Sequence, residues 1–329
     1  MATTTALRAL IIGTGSIGQR HMRNLRIIAP ETELLLLRRN DEPLVGWPET
    51  KVVRDLDAAL ALAPDFAILS TPSAHHFSVL PGLIGAKVPT YVEKPIVTDL
   101  DHVAEIDASL QANPGVPHVA GFNLRLLPSL SQALEITTAG GLGDIARASF
   151  SAGQWLPDWR RGQDHRNGYS ARVADGGGVL LDLSHEFDMA RLFLGEMKVL
   201  FAAKANVTAL EIESEGVAIA TALATSGALV SINLDYVARQ PVRRYELVGT
   251  ERSLTWDLSA RTLTLTSPNG HKELTSDPAN FDVGATYMMA MTNFLEEILS
   301  GIPGPLQRLE DGLRSTELAI RAHGKDFGN

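Results

Sequence analysis

The chain has 329 residues, 45% hydrophobic and 20% charged, with a formal net charge of −9 and no cysteine. That length favours two domains over one core, the acidic balance argues against a nucleic-acid-binding surface, and without thiols there is neither a disulfide framework nor a thiolate metal site. The longest apolar runs have only strand length, and the opening MATTTALRAL lacks the long apolar segment of a secretory signal, so a cytoplasmic location is expected.

In chain order, residues 9–12 form an apolar strand that runs into Gly13-Thr14-Gly15-Ser16-Ile17-Gly18. A helix follows with Ile17, Met22 and Leu25 on one face. Strand, G-x-G-x-x-G and helix start together form the dinucleotide-binding fingerprint. Its first glycine permits the tight turn, the second lets backbone approach a pyrophosphate, and the third lets the helix pack on the strand. A bound nicotinamide dinucleotide is therefore expected. Strands follow at 33–37, 51–53, 65–70, 89–92 and 116–121, with helices near 55–62, 76–86 and 99–111. Thr98-x-x-Asp101 reads as a capping box opening the last of these. Strands alternating with helices imply a doubly wound parallel sheet over residues 1–121.

Two features of this half bear on chemistry. About twenty residues past the glycine loop, an NAD site expects an acid on the ribose hydroxyls. This chain has Leu37-Arg38-Arg39-Asn40 instead. An arginine there pairs with a 2′-phosphate, which favours NADP over NAD, unless both arginines simply lie in solvent. Tyr91-Val92-Glu93-Lys94-Pro95 puts a lysine at a strand's C-terminal end, the edge where open α/β sheets bind ligands. Pro95 restrains Lys94 to extended backbone. Alone, such a lysine reads as a solvated charge.

The rhythm changes after residue 122. A helix over 128–138 reaches Gly140-Gly141-Leu142-Gly143, a strand covers 145–154, and 155–176 shows no periodicity over a length typical of functional loops. A helix over about 178–194 precedes strands near 197–208, 213–224, 228–238, 243–249, 253–258 and 261–266, and helices at 284–300 and 305–323 end the chain. Within 228–238, Val230, Ile232, Leu234 and Tyr236 alternate with Ser231, Asn233 and Asp235. Residues 122–329 thus read as an α+β domain with a large open, mainly antiparallel sheet. Its apolar face needs cover, so a homodimer or homotetramer is expected.

In residues 176–195, GGGVLLDLSHEFDMARLFLG, spacing of three puts Asp182 and His185 on one helical face. His185 suits a general base near neutrality; the same pattern also describes an acidic first turn with one interior histidine. The segment offers no third nitrogen ligand, so no metal is expected. The aperiodic loop carries Arg160, Arg161, Arg166 and Arg172 beside Asp158, Asp164 and Tyr169. Arginines suit carboxylate or phosphate, while Asp and Tyr suit sugar hydroxyls. Alternatively, the arginines pair with Asp158, Asp164 and Asp175 to hold the loop together.

The GTGSIGQRH start, Thr71-Pro72-Ser73-Ala74-His75-His76, Glu93-Lys94-Pro95, Gly121-Phe122-Asn123-x-Arg125 and the GGGVLLDLSHEFD helix together resemble the Gfo/Idh/MocA oxidoreductases, from about residue 7 to the last helix. The resemblance implies a Rossmann domain, an α+β domain with an open sheet, and dimers or tetramers formed through that sheet. It implies that Lys94 and His185 are catalytic. Pro72, His76 and Glu93 match family positions near the nicotinamide or its ribose. One departure is that many members carry an aspartate four residues before the histidine, where this chain has Leu181; Asp182 lies three before. Residues 154–170 resemble a subgroup concerned with surface-sugar metabolism.

The resulting expectation is an oxidoreductase that moves a hydride between NADP, or NAD, and a hydroxyl or keto carbon of a sugar, nucleotide sugar or cyclic polyol. His185 would be the base, Lys94 the charge that stabilises the alkoxide, and Asp182 an orienting partner. Gly13, Gly15, Ser16, Ile17, Gly18, Arg38, Arg39, Ser70, Thr71, Pro72, His76, Glu93 and Lys94 are the expected cofactor contacts. Asn123, Arg125, Trp159, Arg160, Arg166, Tyr169, Asp182, His185 and Lys94 are the expected substrate contacts. The alternatives are a glycosidase that recycles a bound NAD and a non-catalytic sensor, the latter disfavoured because the chain keeps both Lys94 and His185.

Overall fold

Two kinds of strand pattern, fully buried and alternating, separate the chain into two sheets. The computed structural model describes residues 7–324 except Asp41 and Arg161. The first unit contains β1 (Arg8–Ile12), α1 (Ser16–Ile28), β2 (Glu33–Leu37), β3 (Lys51–Val53), α2 (Leu56–Leu60), β4 (Phe66–Leu69), α3 (Leu80–Gly85), β5 (Thr90–Val92), α4 (Leu100–Ala112) and β6 (His118–Ala120). All six strands are parallel, in the order β3-β2-β1-β4-β5-β6. Strands β4, β5 and β6 are buried at every residue, as expected when helices cover both faces of a parallel sheet. The strand order reverses between β1 and β4, so the Gly13 loop, Ser70–Thr71 and Glu93–Lys94 all follow strands at the C-terminal edge of this switch point.

Two local expectations change. The cap of α4 is Asp99, whose carboxylate accepts from the Asp101 amide (2.7 Å), and not Thr98. A carboxylate one residue nearer the helix takes the open N–H first. The helix expected over 76–86 is a 3₁₀ turn, Ser73–Ser78, followed by α3, because Pro81 has no N–H to continue the preceding turn.

The second unit contains α5 (Pro128–Thr138), β7 (Ile145–Gly153), α6 (Val179–Asp182), α7 (His185–Leu194), β8 (Met197–Ala205), β9 (Val217–Ala224), β10 (Leu229–Asp235), β11 (Val242–Gly249), β12 (Ser253–Asp257), β13 (Thr262–Ser267) and β14 (Gly270–Thr275). The eight strands run β14-β13-β12-β11-β7-β10-β9-β8, antiparallel except for the β7–β10 pair. Strand β14 (GHKELT) is too polar to be read from the sequence; pairing with β13 makes it a strand. Burial alternates along β9, β10 and β12, so one sheet face is packed and the other open. Val230, Ile232, Leu234 and Tyr236 lie on the packed face, where α6 and α7 cover β10. The open face carries other apolar residues: Ile219, Leu223 and Leu229, the last two cross-strand partners.

Helices α8 (Val283–Ser300) and α9 (Leu309–His323) close the chain. Residues Tyr287–Leu313 belong to the first unit, whose remainder ends at Phe122, and not with the second half as the boundary at 121–122 implied. Phe294 meets Phe66 and Tyr91 edge-on, each at 5.9 Å, and the Gln307 carbonyl accepts from the Ala120 amide at 2.9 Å. The sheet needs this apolar cover, and sequence distance does not oppose it. Among the described residues, no helix is long and apolar enough to cross a membrane.

His118 on β6 is buried, and neither ring nitrogen has a hydrogen-bond partner. Burial pushes its pKa from 6.5 down to about 4. The unfolded chain therefore binds the proton first as pH falls, and folding loses stability from about pH 6.5 toward 4. Between pH 7.5 and 5 this one group should cost about 2 kcal/mol. In urea unfolding at the two pH values, His118→Leu should remove that difference; an unchanged pH dependence would assign it elsewhere.

Candidate functional site

The glycine loop is a place where backbone meets backbone. Gly13 has φ 96°, and a Cβ there would collide with the backbone of Ser70 and Thr71. The Ser70 hydroxyl donates to the Gly13 carbonyl (2.9 Å), and the Ser70 amide donates to Ile12 O (2.7 Å). A Cβ at Gly18 would overlap the Gly13 carbonyl. Gly15 differs: its φ of −69° suits any residue, and a Cβ there meets no protein atom within 4 Å. The fold therefore does not require glycine at 15. Helix α1 starts at Ser16, which is exposed, with no side-chain cap and no acid in its first turn. Beside the loop, the Thr71 hydroxyl is buried and lacks a partner. An uncapped helix start, a side-chain-free approach and an unpaired hydroxyl fit the pyrophosphate of a dinucleotide.

Other expected cofactor residues have protein partners. Arg38 donates from Nη1 to the Glu42 carbonyl (2.7 Å), and Arg39 is exposed. Pro72 is exposed at the start of its 3₁₀ turn. His76 is buried, with Nδ1 3.0 Å from Ile96 O and Nε2 3.0 Å from Thr71 O. Burial lowers its pKa despite these carbonyls, and a neutral ring, with one N–H, donates to only one of them. Glu93 is buried and accepts from His21 Nε2 at 2.7 Å; Lys94, next in the chain, is half-buried. His21 was not among the expected site residues. Its only sequence signal is a histidine just after Gly18-Gln19-Arg20 on an otherwise ordinary amphipathic helix.

In the second unit the helix expected over 178–194 is broken. Helix α6 ends at Asp182 and α7 begins at His185, with Leu183 at φ −96°, ψ 36° between them. The argument that spacing of three places Asp182 and His185 on one helical face therefore fails. The Asp182 carboxylate, buried, accepts instead from Tyr169 Oη, Ser170 Oγ (2.7 Å) and Tyr236 Oη (3.0 Å). Burial and the Asp182 charge push both tyrosine hydroxyls well above their ordinary pKa, so they remain donors. Trp159 stands edge-on to Tyr236 (5.2 Å), and the Arg160 guanidinium lies 5.3 Å from the Tyr169 ring centroid. The structure thus gathers Trp159, Arg160, Tyr169 and Asp182. Ser170 and Tyr236 join them unanticipated, because their role is set by contact with Asp182. A surface cavity of about 350 Å³ opens beside this group, lined in part by Trp159, Arg160, Gln163, Asn167 and Ser170.

The remaining expected substrate residues are engaged elsewhere. Asn123 Nδ2 donates to Thr286 Oγ1 (2.6 Å). Arg125 forks onto Asp188 (2.8 and 2.7 Å), a carboxylate with no solvent exposure. Arg166 pairs with Asp164 and Glu211, and holds the Asp164 carboxyl down at about 2. Arg172 pairs with Asp175. These last two support the loop-holding reading of the arginines; Arg161 lies outside the described residues. His185 is buried at the start of α7.

A family model described as an oxidoreductase family with an NAD-binding Rossmann fold matches residues 7–120, and one for the GFO/IDH/MocA C-terminal domain matches residues 130–255. The chain belongs to the Gfo/Idh/MocA oxidoreductases. It is an NAD-binding member of that family. An uncharacterized oxidoreductase of Bacillus subtilis, YrbE, is 26% identical over 266 residues, 77% of this chain and 74% of its own. The fold matches the WlbA dehydrogenase from Bordetella pertussis, solved with NADH and UDP-GlcNAcA, at TM-score 0.81 and 20% identity over 98% of this chain and 96% of that one. It also matches scyllo-inositol dehydrogenase from Lactobacillus casei, solved with NAD(H) and scyllo-inositol, at TM-score 0.78 and 20% identity over 97% and 96%.

The two helix-start glycines make a paired test. Gly15→Ala should leave the melting temperature unchanged and weaken dinucleotide binding by about tenfold or more, because its methyl group occupies only ligand space. Gly18→Ala should cost about 3 kcal/mol of stability by forcing the helix off the loop. If Gly15→Ala binds NAD(H) as the parent does, in calorimetry, the loop is not the pyrophosphate cradle.

Proposed function

We propose that this family member is an NAD(P)-dependent dehydrogenase acting on a hydroxyl or keto carbon of a sugar, nucleotide sugar or cyclic polyol. The observation that carries this reading is Lys94: a half-buried lysine at the C-terminal end of β5, separated from the glycine loop of β1 only by β4. That edge of an open α/β sheet is where such folds bind their ligands. The ligands named for the structural neighbours, scyllo-inositol and a UDP-sugar acid, support polyhydroxylated substrates. So does the cavity of the second unit, with an aromatic wall, a guanidinium and two amides.

When bound, the nicotinamide supplies the hydride acceptor or donor. In the oxidative direction His185 takes the substrate hydroxyl proton, and the Lys94 ammonium stabilises the oxygen as negative charge develops. In reduction the same groups return the proton. Asp182, already holding three hydroxyl donors, braces the loop carrying Tyr169 and Ser170; no proton step passes through it. Lys94→Ala should cut turnover by about two orders of magnitude on whichever substrate a panel of cyclic polyols and nucleotide sugars identifies, with dinucleotide affinity little changed. Near-parental turnover would remove Lys94 from the mechanism.

NADP is the proposed preference. Arg38 has five N–H donors and the Glu42 carbonyl takes one, while Arg39 adds charge beside it. NADPH should bind tighter than NADH, and Arg38→Ala should narrow the gap by about 1–3 kcal/mol. Equal affinities in calorimetry would overturn the preference.

The open face of the eight-stranded sheet is the proposed homo-oligomer contact. Ile219, Leu223 and Leu229 are 47%, 39% and 57% exposed there, an apolar strip that a second copy would cover. Light scattering should report a dimer or tetramer that Leu229→Glu dissociates; a monomeric parent chain would refute it.

A further inference from the structure

We propose that the cavity of the second unit binds the carboxylate of a sugar acid and that Arg160 selects it; that such an acid is the substrate of a dehydrogenase rests on the reading given above. The loop over 155–176 carries its arginines in two conditions. Arg166 holds Asp164 and Glu211, and Arg172 holds Asp175. Arg160 is half-buried, and no carboxylate among the described residues pairs with it. Its guanidinium lies over the Tyr169 ring instead, 5.3 Å from the centroid. A guanidinium stacked on an aromatic face keeps its N–H edges for binding in its own plane. Gly168, which also lines the cavity, brings no side chain to the nearby Arg160 Nη1.

The arginine is held before any ligand arrives. Tyr169 donates its hydroxyl to Asp182 Oδ1, and Tyr236 donates to Oδ2 at 3.0 Å. Trp159, next to Arg160 in the chain, stands edge-on to Tyr236 at 5.2 Å, and its Nε1 donates to the Gln154 carbonyl at 3.2 Å. An indole and a guanidinium, adjacent in the cavity wall, are thus each backed by a tyrosine, and both tyrosines hang from one buried carboxylate. A group fixed in this way has less freedom to lose when it takes an anion. The indole offers apolar contact to the C–H face of a sugar ring, and the exposed amides of Gln163 and Asn167 offer hydrogen bonds to its hydroxyls.

Charge and size choose the ligand. Asp164 also lines the cavity, but Arg166 forks onto its carboxylate, with two bonds of 2.9 Å, and compensates its charge. His165 has Nε2 on the Leu210 carbonyl (2.8 Å) and Nδ1 toward Asp164 (3.8 Å), so a proton gained there is compensated too. Arg160 is therefore the one cation among the described lining residues without an acid of its own. One charge in a planar fork matches one carboxylate. A phosphate ester, at about −1.5 to −2 near neutrality, would find no second cation among them. The cavity, about 350 Å³, is at the small end of the roughly 300–1,000 Å³ of ligand pockets, which suits a single sugar ring.

The test reads binding and needs no turnover. The full chain is saturated with NADH, which prevents oxidation of the ligand, and titrated calorimetrically with glucuronate, galacturonate and mannuronate, with the neutral hexose of each, and with glucose 6-phosphate. At least one uronate should bind about tenfold or more tighter than its neutral hexose, and tighter than the phosphate. Arg160→Met keeps an apolar stem against Tyr169 and should reduce that preference to within about twofold at a parental melting temperature. Arg160→Lys should restore part of it. Arg172→Ala removes an equal charge from the same loop and should leave the preference intact. If Arg160→Met does not fold, Arg160→Gln carries the comparison. The proposal is overturned if no uronate is preferred to its hexose, if glucose 6-phosphate binds tightest, or if the preference survives loss of the Arg160 charge. A uronate that binds through Arg160 but reduces neither NAD⁺ nor NADP⁺ would remove the dehydrogenase reading and leave the carboxylate site standing.

Discussion

The first unit depends on one close approach. The β1–α1 turn, the first turn of α1 and the end of β4 touch through backbone atoms, and neither Gly13 nor Gly18 has room for a Cβ. Because α1 can lie this near the sheet, its uncapped start faces the strand ends and His21, one turn on, reaches Glu93 at the end of β5. Ser70 locks the contact by bonding the carbonyls of Ile12 and Gly13. The strand-end chemistry is thus spaced by van der Waals limits, which do not stretch. A methyl group at 18 would move the helix, and with it every group whose place is measured from the helix.

The second unit is organised by buried carboxylates. Asp182, Glu186 and Asp188 lie within seven residues of one another in sequence, and all are buried. Each is held from distant segments: Asp182 by Tyr169, Ser170 and Tyr236; Glu186, through Oε1, by Tyr245 and Arg243; Asp188 by Arg125 and Ser315. Leaving any of them unpaired would cost more than the bond itself contributes. This explains why the aperiodic stretch over 155–176 forms defined 3₁₀ turns. It also explains why Arg125, expected at a substrate, is spent on the core: a guanidinium that leaves Asp188 strands a charge with no water.

Elements with a strong period were legible because burial acts directly on the pattern. The apolar runs of β1, β2 and β4 and the alternation of β10 appear where the sequence places them, within a few residues. Failures came where a tertiary partner outweighed local preference. Strand β14 exists because β13 offers it a ladder. The expected helix over 178–194 splits where Asp182 turns to three hydroxyls. The 230–236 stripe, read as a face awaiting a partner copy, is covered by the chain's own α6 and α7. No propensity carries that information, since it resides in contacts between residues tens of positions apart.

The same division holds for the site. The glycine spacing, the strand-end Lys94-Pro95 and the Gly-rich approach to His185 were readable because they are local: each needs a backbone shape that only certain residues adopt, and that requirement is written in consecutive positions. Local sequence also placed Trp159, Arg160, Tyr169 and Asp182 among the candidates. It could not say that Asp182 would spend its lone pairs on Tyr169, Ser170 and Tyr236, that Arg166 and Arg172 would turn to nearby acids, or that His21 would hold Glu93. A side chain's partner is chosen by distance and desolvation in three dimensions. Sequence alone therefore determined the family fingerprint and which groups are candidates for chemistry, and only the tertiary structure decided which of those groups are already occupied in holding the protein together.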